Sequence, residues 1–145
     1  MTKRGEIVAE IKNLLKNISQ SNGYNTDIGQ NIQEWRVSAV ETILLPVVII
    51  EDKEEIFSEE NSIIGKKDRI LNISIKILAD VDNIEDLRAM VEDVFVCLGA
   101  NENLSGKVQD MDVNSVEIDV EQNKERLAMA SISLSVKFMS ERWEF

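Results

Sequence analysis

A strict alternation of apolar and polar residues near the C-terminus constrains the fold of this chain most. Every second residue from Ala128 to Phe138 is apolar, and the residues between them are serine, methionine or lysine. A period of two is typical of a long β-strand that buries one face and leaves the other largely polar. Because a strand of this kind needs neighbouring strands, we expect a wide antiparallel sheet.

The remaining periodicity predicts two helices and several further strands. Helices are predicted at residues 4–19 and 83–98, and strands near 32–37 and at 44–51, 70–79 and 116–121. Pro46 belongs at a strand start or on an edge, because it has no N–H to donate. Residues 52–69 mix acidic and basic runs with turn residues, and we interpret them as a long loop or arm. Residues 1–145 are interpreted as a single α+β domain, with a mostly antiparallel β-sheet of about four to five strands and two helices packed on one face.

The second predicted helix has recognisable ends. Asp82 followed by Glu85 resembles a capping box, and Gly99 suits the position just after the helix. Its apolar arc includes Phe95 and leaves out Cys97, so we expect Cys97 to be partly exposed.

Composition argues against most kinds of active site. The chain has no histidine and one cysteine, which removes Ser–His and Cys–His nucleophiles and any intramolecular disulfide. Its 27 acidic and 16 basic residues give a net charge of −11, which opposes general nucleic-acid binding. No signal peptide is expected at the N-terminus, and the apolar run from Ile43 to Ile50 is too short to cross a bilayer. We therefore expect no catalytic residues, no metal and no cofactor.

Two acidic patterns in the sequence are candidate sites. Asp110, Asp112, Asn114 and Glu121 occupy calcium-loop positions, but Ser115 stands where the loop needs glycine, so a turn and a solvated strand face are favoured. Glu117, Asp119 and Glu121 share one face of a strand. They could form a solvated sheet face or line an aqueous pore in an assembly, and either reading is favoured over acid–base catalysis.

Two further segments are candidate contact surfaces. The arm combines the apolar Ile56 and Phe57 with the basic Lys66, Lys67 and Arg69, which could be solvated or contact a neighbouring subunit. Near the end of the chain, Trp143 and Phe145 could fold back on the sheet or anchor a partner.

The order of these elements resembles a known family. An amphipathic helix from Ile7 to Ile18 leads to the Leu45–Ile50 strand. The alternating Leu71–Ala79 strand, the capped Asp82–Leu98 helix and an acidic hairpin over Val116–Phe138 follow. The pattern covers roughly residues 4–139 and is similar to the tail terminator, or tail completion, proteins of long-tailed bacteriophages and prophage elements.

The resemblance implies a structural protein of the virion tail, assembled in the bacterial host cytoplasm. It would form a ring, commonly a hexamer, that ends polymerisation of the tail tube and gives the head a docking surface. The implied partners are other copies of the chain, the tail tube protein and the head–tail connector protein, with no sequence-specific nucleic-acid binding and no membrane. Glu117, Asp119 and Glu121 would then be candidate lumen residues. Another virion part, such as a connector or baseplate component, and a monomeric protein-binding module remain alternatives, and an enzyme is the third.

Overall fold

The computed structural model describes residues 2–35, 45–58, 66–121 and 127–145. These ranges contain the helices α1 (Lys3–Leu15) and α2 (Ile84–Gly99) and the strands β1 (Ile32–Glu34), β2 (Val47–Ser58), β3 (Lys66–Asp80), β4 (Asp110–Glu121) and β5 (Leu127–Glu141). Short 3₁₀ turns at Gln20–Asn22 and Ile28–Gln30 link α1 to β1.

The strands form one sheet in the order β1-β2-β3-β5-β4. β1 runs parallel to β2, and the other neighbouring pairs are antiparallel. The predicted fold class is confirmed, since the chain is α+β with a mostly antiparallel sheet and two helices.

The core lies between the helices and one face of the sheet. Alternate residues of β3 from Leu71 to Ala79 are buried, and each faces a buried apolar residue of β5, such as Ile75 opposite Ile132. Buried residues of α1 and α2 complete the same cluster. The alternation read from the sequence is therefore confirmed in both strands. We call the opposite side of the sheet the open face.

The predicted loop at 52–69 is wrong in both of its described parts. Residues 52–58 continue β2, and residues 66–69 begin β3, so both strands are longer than expected. The pairing of β2 with β3, and of β3 with β5, continues through these residues. This pairing overrides the low strand propensity of Asp52, Glu54 and Glu55. Residues 59–65 of the expected arm, and the expected turn at 122–125, lie outside the described residues. We call the region formed by residues 52–58, 66–70 and 137–141 the distal end of the sheet.

The helix ends differ slightly from the prediction. α1 stops at Leu15, although Ile18 remains buried just beyond it. Gly29 donates its N–H to the carbonyl of Ile18 at 3.0 Å, and a Cβ on Gly29 would lie 2.6 Å from that oxygen. The cap of α2 is Asn83, not Asp82, because the Asn83 side chain accepts the N–H of Glu85. Gly99 is the last residue of the helix.

The buried side of α2 is rotated from its apolar arc. Asp93 and Cys97 are buried, whereas Phe95 is exposed, so the expectation that Cys97 is partly exposed is wrong. The thiol of Cys97 donates to the carbonyl of Leu14 in α1, and Asp93 binds the loop before β1. These polar contacts with α1 and the loop set which side of α2 is buried, so sheet packing alone does not decide it.

Candidate interaction surfaces

The acidic residues of β4 lie on the open face of the sheet. Glu117 is opposite Ser131 and Asp119 is opposite Met129, and both carboxylates are exposed. Glu121 ends β4 opposite Leu127, and its side chain lies outside the described residues. The two described carboxylates thus form part of a solvent-exposed, negatively charged row. Its role as the lining of a pore remains a prediction.

Beside this row, small polar side chains line an open-face groove of about 430 Å³. The hydroxyls of Ser74 and Ser131 are 3.3 Å apart, and the Ser135 hydroxyl donates to the side-chain amide oxygen of Asn72 at 3.3 Å. Lys53, Asn114 and Glu117 contribute to its walls. Hydroxyl and amide groups that bond to one another can also bind water or a polar partner. Because the chain has no histidine, none of these serines has the histidine base that would activate it as a nucleophile.

The other side of β4 was not foreseen as a surface. Four aliphatic residues on the core side of this edge strand remain partly open, with exposed fractions between 37% and 44%: Val113, Val116, Ile118 and Val120. Their register places them opposite buried residues of β5. The alternation in the sequence predicts that these four residues share an apolar face. It does not predict that α2 leaves them uncovered, because that depends on where the helix packs.

An apolar groove of about 140 Å³ runs between α2 and the start of β4. We call it the α2–β4 groove; its apolar walls include Val94, Phe95, Leu98, Met111 and Val113. Glu102 and Asp112 lie at its margin and are exposed. Asp112 is opposite Ser135 in the ladder, so its carboxylate points to the open face and Glu102 supplies the negative charge at the groove. Its chemistry therefore suits an apolar side chain accompanied by a positive charge.

At the distal end, the predicted contact residues divide into two groups. Ile56 and Phe57 are exposed, by 45% and 52%, as a contact surface requires. Arg69 is only 2% exposed and forms an ion pair with Glu55 at 2.9 Å. Its guanidinium also lies 4.8 Å from the centroid of the Phe57 ring.

Arg69 is therefore an internal structural residue, and its expected role in a charged contact between subunits is wrong. Its charge is matched by Glu55 within the same chain, so the complementary charges of the predicted arm do not imply a second subunit. Lys67 is half-buried on β3. Lys66 begins β3, and its side chain lies outside the described residues.

The C-terminal tail, residues 142–145, folds back towards α1. Arg69 donates to the carbonyl oxygens of Glu141 and Arg142 at 3.0 and 3.2 Å, and the N–H of Lys3 donates to the Phe145 carbonyl at 3.1 Å. Phe145 also lies beneath the guanidinium of Arg4, yet its ring remains largely exposed. Trp143 behaves differently, because it is 90% exposed and its ring stacks only with the neighbouring Arg142 among the described ring contacts.

An ion pair joins α1 to the distal end, and we call the contact between them the seam. Arg4 binds the Asp52 carboxylate at 2.6 Å, and the indole N–H of Trp35 donates to the other oxygen at 2.8 Å. Burial alone would raise the pKa of Asp52, but the hydrogen bonds from Arg4 and Trp35 outweigh it and hold this pKa below its ordinary value. Asp52 is thus kept ionised as a structural anchor.

Asp93, the most buried carboxylate residue of the described ranges, also has a structural role. It accepts hydrogen bonds from the N–H groups of Asn25 and Thr26, each at 2.9 Å, and from the Thr26 hydroxyl at 2.5 Å. Burial raises the pKa of the nearby Cys97 thiol, and the hydrogen bond with Tyr24 offsets this only in part. The buried, protonated thiol is therefore a poor nucleophile.

The described residues contain no cluster of three or more Asp, Glu or Cys side chains that could hold a metal ion. The calcium pattern from Asp110 to Glu121 lies along an extended strand, where successive side chains point to opposite faces. Among the helices of the described ranges, none has the length and apolar character needed to span a bilayer. No protein family model and no curated protein matches this chain.

Proposed function

We propose that this chain is a structural bacteriophage tail protein. Copies of it would assemble into a ring, of six subunits as is common in the family it resembles, on the head-proximal end of the tail tube. The ring would end tube polymerisation and provide the surface to which the head docks. The role needs no catalytic step, which agrees with a histidine-free sequence and a buried Cys97.

The observation that carries the proposal is the distribution of exposed apolar side chains. One group lies on β4 and the adjoining part of α2, including Ile118 and Phe95; the other includes Phe57 at the distal end and Trp143 in the tail. A closed ring requires two different, complementary patches on each copy. Exposed apolar surface of this extent supports a protein that works in an assembly.

The open face supports the same role. Its acidic row, represented by Glu117 and Asp119, is exposed, and neither helix of the described residues covers it. A ring that turned this face inward would have a negatively charged lumen, which would repel passing DNA and let it slide without binding. The net charge of −11 favours that arrangement.

The first experiment measures the native mass of the protein at micromolar concentration, alone and with the tail tube protein. We expect a multimer of several chains, formed alone or on the tube protein. A chain that remains monomeric in both samples would contradict the ring and favour a monomeric binding module, for which the α2–β4 groove is the available pocket.

The second experiment examines phage particles that lack this protein by electron microscopy. Overlong tails are the expected result, because tube growth would continue without its cap. Tails of normal length without heads would instead assign the chain to the head–tail connector, another structural part of the virion.

A further inference from the structure

We propose that neighbouring copies in the ring join when Trp143 of one copy enters the α2–β4 groove of the next. This docking rests on the proposed ring and specifies its interface. The partner is therefore a second copy of this chain, and the contact pairs two different surfaces.

Trp143 has the properties of an anchor. It is 90% exposed, although the tail that carries it is held on both sides by hydrogen bonds to Arg69 and Lys3. Because the backbone of the tail is already ordered, docking of Trp143 would need to order only its side chain. Tryptophan and arginine are also the residues that most often dominate binding energy at protein interfaces.

The α2–β4 groove offers the complementary chemistry. Its walls are apolar side chains such as Phe95 and Val113, and its margin carries the exposed residue Glu102. On the other copy, the guanidinium of Arg142 lies 5.7 Å from the centroid of the Trp143 ring, and we call these two side chains the knob. Apolar surface would meet apolar surface, and the positive charge of Arg142 would meet the negative charge of Glu102.

The two surfaces lie on different sides of the molecule. Leu134 lines the groove, and the strand from Leu134 to Glu141 extends about 23 Å before the tail begins. The tail then turns to Arg69 of β3 and to Lys3 of α1, away from β4. A copy therefore presents its knob and its groove at different places on its surface, as a head-to-tail contact requires.

Pairing between two β4 edges is the competing arrangement for a second copy, and charge opposes it. β4 carries the acidic residues Asp110, Asp112, Glu117, Asp119 and Glu121 and no basic residue. Two such strands side by side would place like charges together, a device that protects edge strands from self-association. The Arg142–Trp143 knob avoids this repulsion.

The test compares the native mass of the wild type with those of Trp143→Ala and Phe95→Lys. The first variant removes the knob, and the second places a positive charge in the groove against Arg142. Both positions are exposed, so folding should be retained, which circular dichroism and thermal unfolding verify. We expect each variant to lose the multimer at concentrations at which the wild type is assembled, whereas the matched control Trp35→Phe retains it.

Mixing the variants tests the pairing itself. Phe95→Lys keeps an intact knob and Trp143→Ala keeps an intact groove, so the mixture should form heterodimers of two chains that cannot grow further. In the Trp35→Phe background, Trp143 is the remaining tryptophan, and its emission should shift to the blue on assembly. Charge provides a rescue, because Arg142→Glu should weaken assembly and Glu102→Lys in the same chain should restore it.

The outcomes separate this inference from the proposed function. A wild type that is monomeric with and without tube protein contradicts the ring. A wild-type multimer whose mass is unchanged by both Trp143→Ala and Phe95→Lys contradicts only the docking described here. A multimer disrupted by charge reversal of β4 but insensitive to Trp143→Ala would show edge pairing and would likewise overturn the inference.

Discussion

Replacing Arg69 with methionine tests how the distal end is held together. Methionine retains an unbranched apolar stem but lacks the guanidinium that binds Glu55 at 2.9 Å and the two backbone carbonyls of the tail. Glu55 would then stay buried without its cation. Breaking a buried ion pair by removing one partner costs about 3–5 kcal/mol. Since domains of this kind are stable by about 5–15 kcal/mol, the free energy of unfolding should fall by a large fraction.

The chain contains a matched control for this substitution. Arg88 pairs with Glu85 one turn away on α2, and both side chains are more than half exposed, by 57% and 65%. An exposed pair of this kind contributes about 0.3–0.5 kcal/mol. Arg88→Met should therefore leave the free energy of unfolding nearly unchanged, although it removes the same charge by the same substitution.

A double variant separates the ion pair from general packing. In the described residues, Oε1 of Glu55 and Nε of Arg69 are buried without a hydrogen-bond partner, so the pair is incompletely satisfied. Replacing both residues with methionine removes both buried charges, which is often neutral or stabilising. We expect the double variant to be more stable than either single variant, with a residual loss from the tail carbonyls that Arg69 no longer binds.

Urea unfolding followed by circular dichroism and tryptophan fluorescence measures these differences. The reasoning would be refuted if Arg69→Met lowered stability by no more than Arg88→Met. Additive losses in the double variant would also refute it, because contacting charges should show an interaction energy in the double-mutant cycle. A second consequence concerns assembly: Arg69→Met should loosen the tail and weaken the multimer even under conditions where the sheet remains folded.

Two further predictions concern the seam beside α1. Because the pKa of Asp52 is lower in the folded chain than its unfolded value of about 3.9, the Arg4–Asp52 contribution is present above that value and is lost as pH falls through the folded pKa. Unfolding at a series of pH values should show the stability difference between wild type and Asp52→Asn shrinking with acidification, and a constant difference would contradict the assignment. Gly29→Ala should lower the melting temperature, because its Cβ would lie 2.6 Å from the Ile18 carbonyl oxygen and overpacking costs about 1–3 kcal/mol. Gly99→Ala meets nothing within 4 Å and is the control that should not be destabilising.

The central strands were predictable from the sequence because burial on one side leaves a period of two. Ile75 and Ile132 face each other across β3 and β5, and their polar neighbours lie on the open face. The second half of β2 carries no such pattern. In the described residues, β1 pairs with Val48, Ile49 and Ile50, whereas the residues of β2 beyond them pair with β3 on one side and tolerate charges. Strand continuation at the distal end is thus a tertiary effect, which local propensity does not encode.

The candidate surfaces were predictable only in part. The exposure of Phe57 and Trp143 agrees with their prediction as contact residues, although contact itself is untested. The burial of Arg69 could not be read from a basic run, since its partner Glu55 lies on a different strand. The α2–β4 groove was missed because it depends on the rotation of α2, which Asp93 sets through hydrogen bonds to a distant loop.

Element lengths explain why this chain exposes so much of its sheet. A helix of 16 residues such as α2 is about 24 Å long, whereas a strand of 15 residues such as β5 is about 50 Å long. Two helices therefore cannot cover strands of this length. At the distal end, the tail and the buried Arg69 cover the residues that the helices do not reach, which leaves Trp143 held outward at the limit of that cover. On the other side, no element of the described ranges covers β4. The same feature, long strands packed against shorter helices, therefore accounts for both the exposed Trp143 and the open α2–β4 groove.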